Sequence, residues 1–385
     1  MHDINLPRRV RIGGGALCET GSLMQAAGLS KALIVTDAFL AGSGLVEKLQ
    51  GILRKSGCSS AVFADTVPDP TVAVVEAALD VVRAGDFDCV IGFGGGSPID
   101  TSKAIAALAL DPRPIPSLKV PAVTDTPGLP VIAIPTTAGT GSEATRVTII
   151  TDEATDEKML CAGLAFLPML AVIDYELTLT KPRRLTADTG IDSLTHAIEA
   201  YVSKKANAFS DAMAISAMKL IAPNLRTACD DPSNRAAREA MMLGAHHGGL
   251  AFSNASVALV HGMSRPIGAF FHVPHGLSNA MLLPVVTRYS VPAATARYAD
   301  CARAMGVASD SDADQLATAR LVEELERLNA DLDVPGPGAY GIAKERWDEL
   351  LPVMSEQAIA SGSPANNPMP ADADAIVELY RQAWS

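Results

Sequence analysis

The chain has no cluster of lysine and arginine, and its formal net charge is −12 over 385 residues. Proteins that bind nucleic acid or anionic membranes carry the opposite footprint, so neither partner is expected. No stretch of roughly 18 or more apolar residues occurs, and no transmembrane helix is expected. The opening MHDINLPRRV lacks the apolar core of a signal peptide. Cysteine is sparse, six residues scattered with no CxxC pair. That argues against cysteine-based zinc sites and points to a reducing, cytoplasmic setting. Aromatic residues make up only 4%, leaving an interior of small and branched aliphatic side chains. With 48% hydrophobic and 19% charged residues the composition is globular, and the length predicts two domains.

What is present comes in two textures. Residues 1–180 alternate strand and helix patterns: KALIVTD, SSAVFADTV, DCVIGFGGG, LPVIAIP and MLAVIDY read as strands. Between them, 45–57, 70–85 and 97–110 have helical periodicity. Such alternation predicts an α/β domain with a mostly parallel, Rossmann-like sheet covered by helices. From about 181 to 385 the strand signals stop and alanine- and leucine-rich helical patterns take over. An α/β dinucleotide-binding domain over 1–180, followed by an all-α metal and substrate domain over 181–385, is the expected organisation.

Two polar turns follow predicted strands. In VIGFGGGSPID, three glycines separate a buried strand from a helix start. Glycine lets the backbone approach an anion, and the helix start offers free N–H groups. Ser97 is placed to cap that helix or to donate to a phosphate. In PTTAGTGSE, Thr136, Thr137, Thr140 and Ser142 line a second strand exit. Two such turns at the carboxyl ends of parallel strands share one sheet edge, where ligands of open α/β sheets bind. Asp37, at the end of KALIVTD, is suited to hold ribose hydroxyls and repel a 2′-phosphate.

Histidine is also scarce, yet three of the seven fall in HGMSRPIGAFFHVPH, 261–275. Upstream, Asp192 and His196 in TGIDSLTHAIEAY are four residues apart, on one face of a predicted helix. Their apolar surroundings predict burial, and a divalent cation would offset the buried carboxylate. His261 and His275 are able to complete the set, with PIG and HVPHG as chain breakers between them; His272, His246 and His247 remain alternatives.

Together GGGSPIDTSK, PTTAGTGSE, TADTGIDSLTHAIEAY and HGMSRPIGAFFHVPHGLSNAMLLP resemble the iron-containing (group III) alcohol dehydrogenase family, in the family's order and across essentially the whole chain. The resemblance implies NAD(H)-linked interconversion of a primary alcohol and its aldehyde. It implies a metal, Fe²⁺ with Zn²⁺ as the alternative, held by Asp192, His196, His261 and His275. It assigns Gly95, Gly96 and Ser97 to the pyrophosphate, and places Thr136, Thr137 and Thr140 along the dinucleotide. Lys158 falls near the ribose, and Asp37 is the acid that favours NAD over NADP. Phe252 and, more weakly, Asp69 are implied at the pocket. A homodimer, through N-terminal strand pairing, is implied as well.

One position departs from the pattern. Four residues after His261 many family members have a second histidine, associated with a proton path; here it is Arg265. Arginine stays protonated and cannot act as a base at neutral pH. Three roles stay open: packing on backbone carbonyls or acids, a bidentate pair with an anionic substrate, or contact with cofactor phosphate. The rival activities are a dehydroquinate-synthase-like lyase, which needs more basic residues near the metal helices, and a metal-dependent hydrolase, which leaves the glycine turns without purpose.

Overall fold

The computed structural model describes residues 1–155 and 157–384. The chain forms two compact units, Asn5–Leu179 and Thr180–Ser385, the latter also including Met1–Ile4.

The first unit is built on six parallel strands: β1 (Arg9–Ile12), β2 (Lys31–Val35), β3 (Ser59–Phe63), β4 (Cys89–Gly94), β5 (Val131–Pro135) and β8 (Leu170–Ile173), in the order β1-β8-β5-β4-β2-β3. β4, β5 and β8 are buried along their whole length, as uninterrupted aliphatic runs require when helices cover both faces. The period of two sends alternate side chains to opposite cores. Leu33, Val35 and Val90 meet α2 (Val72–Ala84) and α3 (Gly96–Leu108). Ala32, Ile34, Ile91 and Phe93 meet α1 (Leu45–Lys55) on the other side. The chain reverses direction across the sheet between β2 and β4, and the carboxyl ends of β2, β4 and β5 are therefore neighbours.

Two sequence expectations need correction. No strand is read for 147–162, yet β6 (Val147–Asp152) and β7 (Glu157–Ala162) form an antiparallel hairpin. Its half-buried alternation is interrupted by charged residues, which hides the pattern. Ser97 does not cap α3: the N-cap is Gly95, without a side-chain bond, and Ser97 lies inside the first turn.

The second unit is helical. Its centre is α4 (Arg183–Val202), buried almost continuously from Thr186 to Val202. Around it pack α5 (Ala208–Ile221), α6 (Arg235–Asn254) and α8 (His275–Ser290), with α7 (Leu259–Phe271) leading into α8. PIG does not break the chain as expected. Pro266 lies inside α7, whose residues from Leu259 to Gly268 are mostly buried, and that packing offsets the missing N–H bond. The break falls at 272–274, where His272 takes a left-handed conformation, φ 54°, as the C-cap of α7.

Candidate active site: a metal centre and a dinucleotide edge

Asp192 and His196 lie on one face of α4, His261 one turn into α7, and His275 at the first residue of α8. Their ligand atoms all fall within 4.8 Å of one another. Asp192 Oδ1 is 3.5 Å from His261 Nε2, 3.7 Å from His275 Nε2 and 3.9 Å from His196 Nε2. Two ligand atoms each about 2.1 Å from one ion are about 3–4 Å apart, so these spacings suit a shared cation. The Asp192, His196 and His261 side chains are nearly inaccessible, while that of His275 is 37% exposed. The set is thus closed on three sides and open at one.

Groups behind the ligands fix their orientation. Glu199, seven residues after Asp192 on the same face of α4, accepts from the His261 ring at Nδ1, 2.6 Å. The same carboxylate accepts from the Ala258 and Val260 N–H groups at 2.9 and 2.6 Å, pinning the start of α7. With its Nδ1 proton committed to Glu199, His261 presents Nε2 as an acceptor. The His196 ring stacks on Phe252, centroids 4.2 Å apart and 19° from parallel. Asn279 Nδ2 donates to Asp192 Oδ1 at 2.7 Å and faces His261 Nε2 and His275 Nε2 at 3.2 and 3.3 Å. Several acceptor atoms therefore converge on one weak amide donor, an arrangement that a cation satisfies far better. Burial alone would push the Asp192 carboxyl up, but His196, His275 and His261, when protonated, outweigh it and hold the group well below the usual range; a bound cation would take the place of those charges. The carboxylate is ionised, as metal binding requires.

The approach of α8 to α4 depends on Gly276. A Cβ there would lie 2.3 Å from the Asp188 carbonyl oxygen and 3.2 Å from Asp192 Cβ, so no larger residue fits without moving the ligands.

His272 stays outside this set, exposed at the end of α7. His246 and His247 lie on α6, outside the four, and His247 Nδ1 bonds Ser216 Oγ at 2.9 Å. Sequence reasoning missed Glu199 and Asn279. Both were detectable: Glu199 is an acid within the apolar AIEAY, and Asn279 lies one helical turn after His275.

In the first unit, the two predicted turns come together. Gly94 pairs with Pro135 across β4 and β5, and Thr136 N donates to the Gly94 carbonyl at 2.8 Å. A Cβ on Gly96 would meet the Thr140 side chain at 2.9 Å, and one on Gly95 would meet Thr137 at 3.6 Å. At Gly96 the missing side chain is what lets these turns abut, while a Cβ on Gly95 would make only ordinary contact. Beneath them is a buried polar link: Lys103 Nζ donates to Ser142 Oγ at 2.8 Å, and Ser142 Oγ donates to Asp100 Oδ1 at 2.6 Å. Asp100 also accepts from Ile149 N, and Lys103 also donates to Thr145 Oγ1 and the Val147 carbonyl. Burial pulls the Lys103 ammonium down to about 8, against the opposing charges of Asp100 and Glu143. Burial pushes the Asp100 carboxyl up, against Lys103, Ser142 and the Ile149 N–H.

Asp37 caps the short helix Ala38–Ala41, its Oδ1 accepting from Leu40 N at 2.7 Å, just beyond β2. Lys158, on β7, pairs with Asp69 at 2.9 Å. The two residues that sequence reading named separately are therefore partners, and Asp69 holds a left-handed backbone, φ 51°.

A buried Asp/His₃ cluster and a glycine-edged parallel sheet define a metal-dependent, dinucleotide-linked oxidoreductase. Residues 7–175 match the family described as iron-containing alcohol dehydrogenase, and residues 186–384 match the Fe-containing alcohol dehydrogenase family, C-terminal. Lactaldehyde reductase of Escherichia coli (strain K12) is 38% identical over 374 residues, covering 97% of each chain. The crystal structure of 1,3-propanediol oxidoreductase superposes with a TM-score of 0.95 at 36% identity, covering 100% of both chains. That of sulfoacetaldehyde reductase from Bifidobacterium kashiwanohense in complex with NAD⁺ gives 0.90 at 29% identity, covering 100% of this chain and 99% of the other. The chain belongs to the iron-containing alcohol dehydrogenase family. It is a metal-dependent, NAD(H)-linked enzyme that interconverts a primary alcohol and its aldehyde.

Proposed function

We propose that Asp192, His196, His261 and His275 hold the metal, Fe²⁺ or Zn²⁺, and that residues 181–385 form the metal and substrate domain. The observation that carries this reading is the convergence of three histidine Nε2 atoms on Asp192 Oδ1. A divalent ion bound there supplies Lewis acidity toward an alcohol or carbonyl oxygen, and NAD(H) supplies or takes the hydride. The protein's own groups do the rest. Glu199 and Phe252 fix the rings of His261 and His196, Asn279 holds the Asp192 carboxylate, and the half-exposed side of His275 is the open approach for substrate. The chain offers no base at position 265, so the alcohol proton leaves to solvent.

Residues 1–180 form the dinucleotide domain in this proposal. Gly95, Gly96 and Ser97 receive the pyrophosphate at the α3 start, Thr136, Thr137 and Thr140 flank the dinucleotide, and Asp37 and Lys158 lie toward the ribose. Adjacency of the two turns on β4 and β5 supports this placement. The test is anaerobic NADH oxidation by Fe²⁺-reconstituted protein. One NADH consumed per aldehyde reduced is expected; consumption of substrate with no net NADH change would favour the lyase or hydrolase readings.

Asp37→Gly is expected to let NADPH compete, raising NADPH efficiency relative to NADH by about tenfold or more, because removal of a carboxylate relieves repulsion of the 2′-phosphate. Competition kinetics with both cofactors measure it; an unchanged ratio removes Asp37 from the ribose site.

We propose further that the enzyme works as a homodimer in the cytoplasm. β1 is an edge strand whose one strand neighbour among the described residues is β8, and its other side is suited to strand pairing with a second copy. All six cysteines are unpaired, which suits a reducing compartment, and no helix among the described residues is long and apolar enough to cross a membrane.

A further inference from the structure

Arg265 stands one turn after His261 on α7, four residues on and therefore on the same face. Its side chain is half-buried, yet the guanidinium enters no hydrogen bond or ion pair among the described residues. That sets it apart from other buried or partly buried arginines of the helical unit. Arg184 donates to the Leu332 carbonyl, Arg226 pairs with Glu324 and Asp331, Arg238 donates to Thr186 Oγ1, and Arg297 pairs with Asp211. Glu199 is the acid whose charge reaches Arg265, but its oxygens already serve Ala258, Val260 and His261. The guanidinium is not braced by carbonyls or acids of its own chain, as a packing role would require.

None of the guanidinium nitrogens is among the solvent-inaccessible unpartnered atoms of the described residues, so the uncommitted donors are open to a ligand from outside. Its planar fork matches a compact oxyanion, bidentately. One helical turn is about 5.4 Å along the axis, so Arg265 stands about that far from His261 on the same face. A substrate whose oxygen lies among the metal-binding side chains reaches Arg265 with an anionic group a few carbons away.

We propose that Arg265 is a specificity-determining residue that binds the anionic end of the substrate, and that the enzyme acts on short aldehydes bearing a carboxylate, sulfonate or phosphonate and on the matching hydroxy acids. This rests on the metal assignment made above.

The experiment compares succinic semialdehyde and sulfoacetaldehyde with neutral butanal as substrates of the Fe²⁺-loaded enzyme. In parallel, 4-hydroxybutyrate and 1-butanol are titrated calorimetrically into the enzyme–NAD⁺ complex. The wild type is expected to favour at least one acid-bearing aldehyde over butanal in kcat/KM by about 10- to 100-fold, the worth of one charge-assisted contact. In Arg265→Met that ratio falls to near unity and 4-hydroxybutyrate affinity drops by a similar factor, while Arg265→Lys keeps part of the preference. NADH affinity, measured by fluorescence, changes less than about twofold and shows that the variant is folded. A wild-type ratio near unity with butanal turned over overturns the proposal and leaves the alcohol dehydrogenase reading standing. So does a variant that keeps its acid preference but loses NADH affinity, which would assign Arg265 to the cofactor. Turnover of none of the aldehydes overturns both readings.

Discussion

Replacing His261 with alanine is expected to strip the protein of metal and to abolish aldehyde reduction, while the dissociation constant for NADH changes less than about twofold. Three facts combine at this residue. Its Nε2 faces Asp192 Oδ1 at 3.5 Å, its Nδ1 is bound by Glu199 at 2.6 Å, and it is almost wholly buried. Alanine removes one of four donors and leaves Glu199 without its ring partner. The loss should exceed the roughly 10- to 100-fold that follows removal of an outer hydrogen-bond partner, which is the expected penalty in metal affinity for Glu199→Gln. Metal content after dialysis and NADH fluorescence titration decide the matter together. Stoichiometric metal in the alanine variant would remove His261 from the ligand set. Loss of NADH binding would show that cofactor and metal are not held by separate parts of the chain.

Lys103→Met should destabilise the protein by about 3–5 kcal/mol, because it leaves Asp100 buried without its compensating charge. The link from Lys103 through Ser142 to Asp100 ties α3 to the residues that close the Thr136–Gly141 turn, so the KM for NADH should rise as well. The pH dependence separates this explanation from simple loss of packing. In the native protein burial lowers Lys103 to about 8 from its ordinary 10.5. Between those values the unfolded chain binds the extra proton, so wild-type stability rises with pH across that window, and the cost of the dry ammonium is fully present below it. Lys103→Met removes that rise. Asp100, raised by burial, acts with the opposite sign: stability falls as pH climbs upward from the ordinary carboxylate value. Urea denaturation at about pH 7 and about pH 9.5 measures the slope. In the double variant Lys103→Met, Asp100→Leu, part of the stability should return. A single variant as stable as the wild type would show that the link does not brace the turn.

The main elements of both units were legible because their signals are local. A glycine-edged aliphatic run marks β4, and proline before and glycine after mark α2. The Asp/His cluster was legible for the same reason: Asp192 and His196 share a helix face, and histidine is rare enough for 261–275 to stand out. What brings His275 to His261 was not legible, because it depends on a left-handed turn at His272 and on Gly276 lying against the Asp188 backbone. The Lys103–Ser142–Asp100 link also escaped, since 39 residues separate Lys103 from Ser142 and only the sheet brings them together. Arg265 marks the other limit. Its identity was an anomaly in the motif, but that its guanidinium enters no hydrogen bond or ion pair among the described residues is visible only in three dimensions.

Three members of the Asp/His cluster are braced by residues of other helices or turns. Glu199 is tied to the backbone of α7, Phe252 lies flat on His196, and Asn279 grips Asp192 from inside α8. These braces come from α4, α6 and α8, so the spacing of the four side chains is set by how those helices pack.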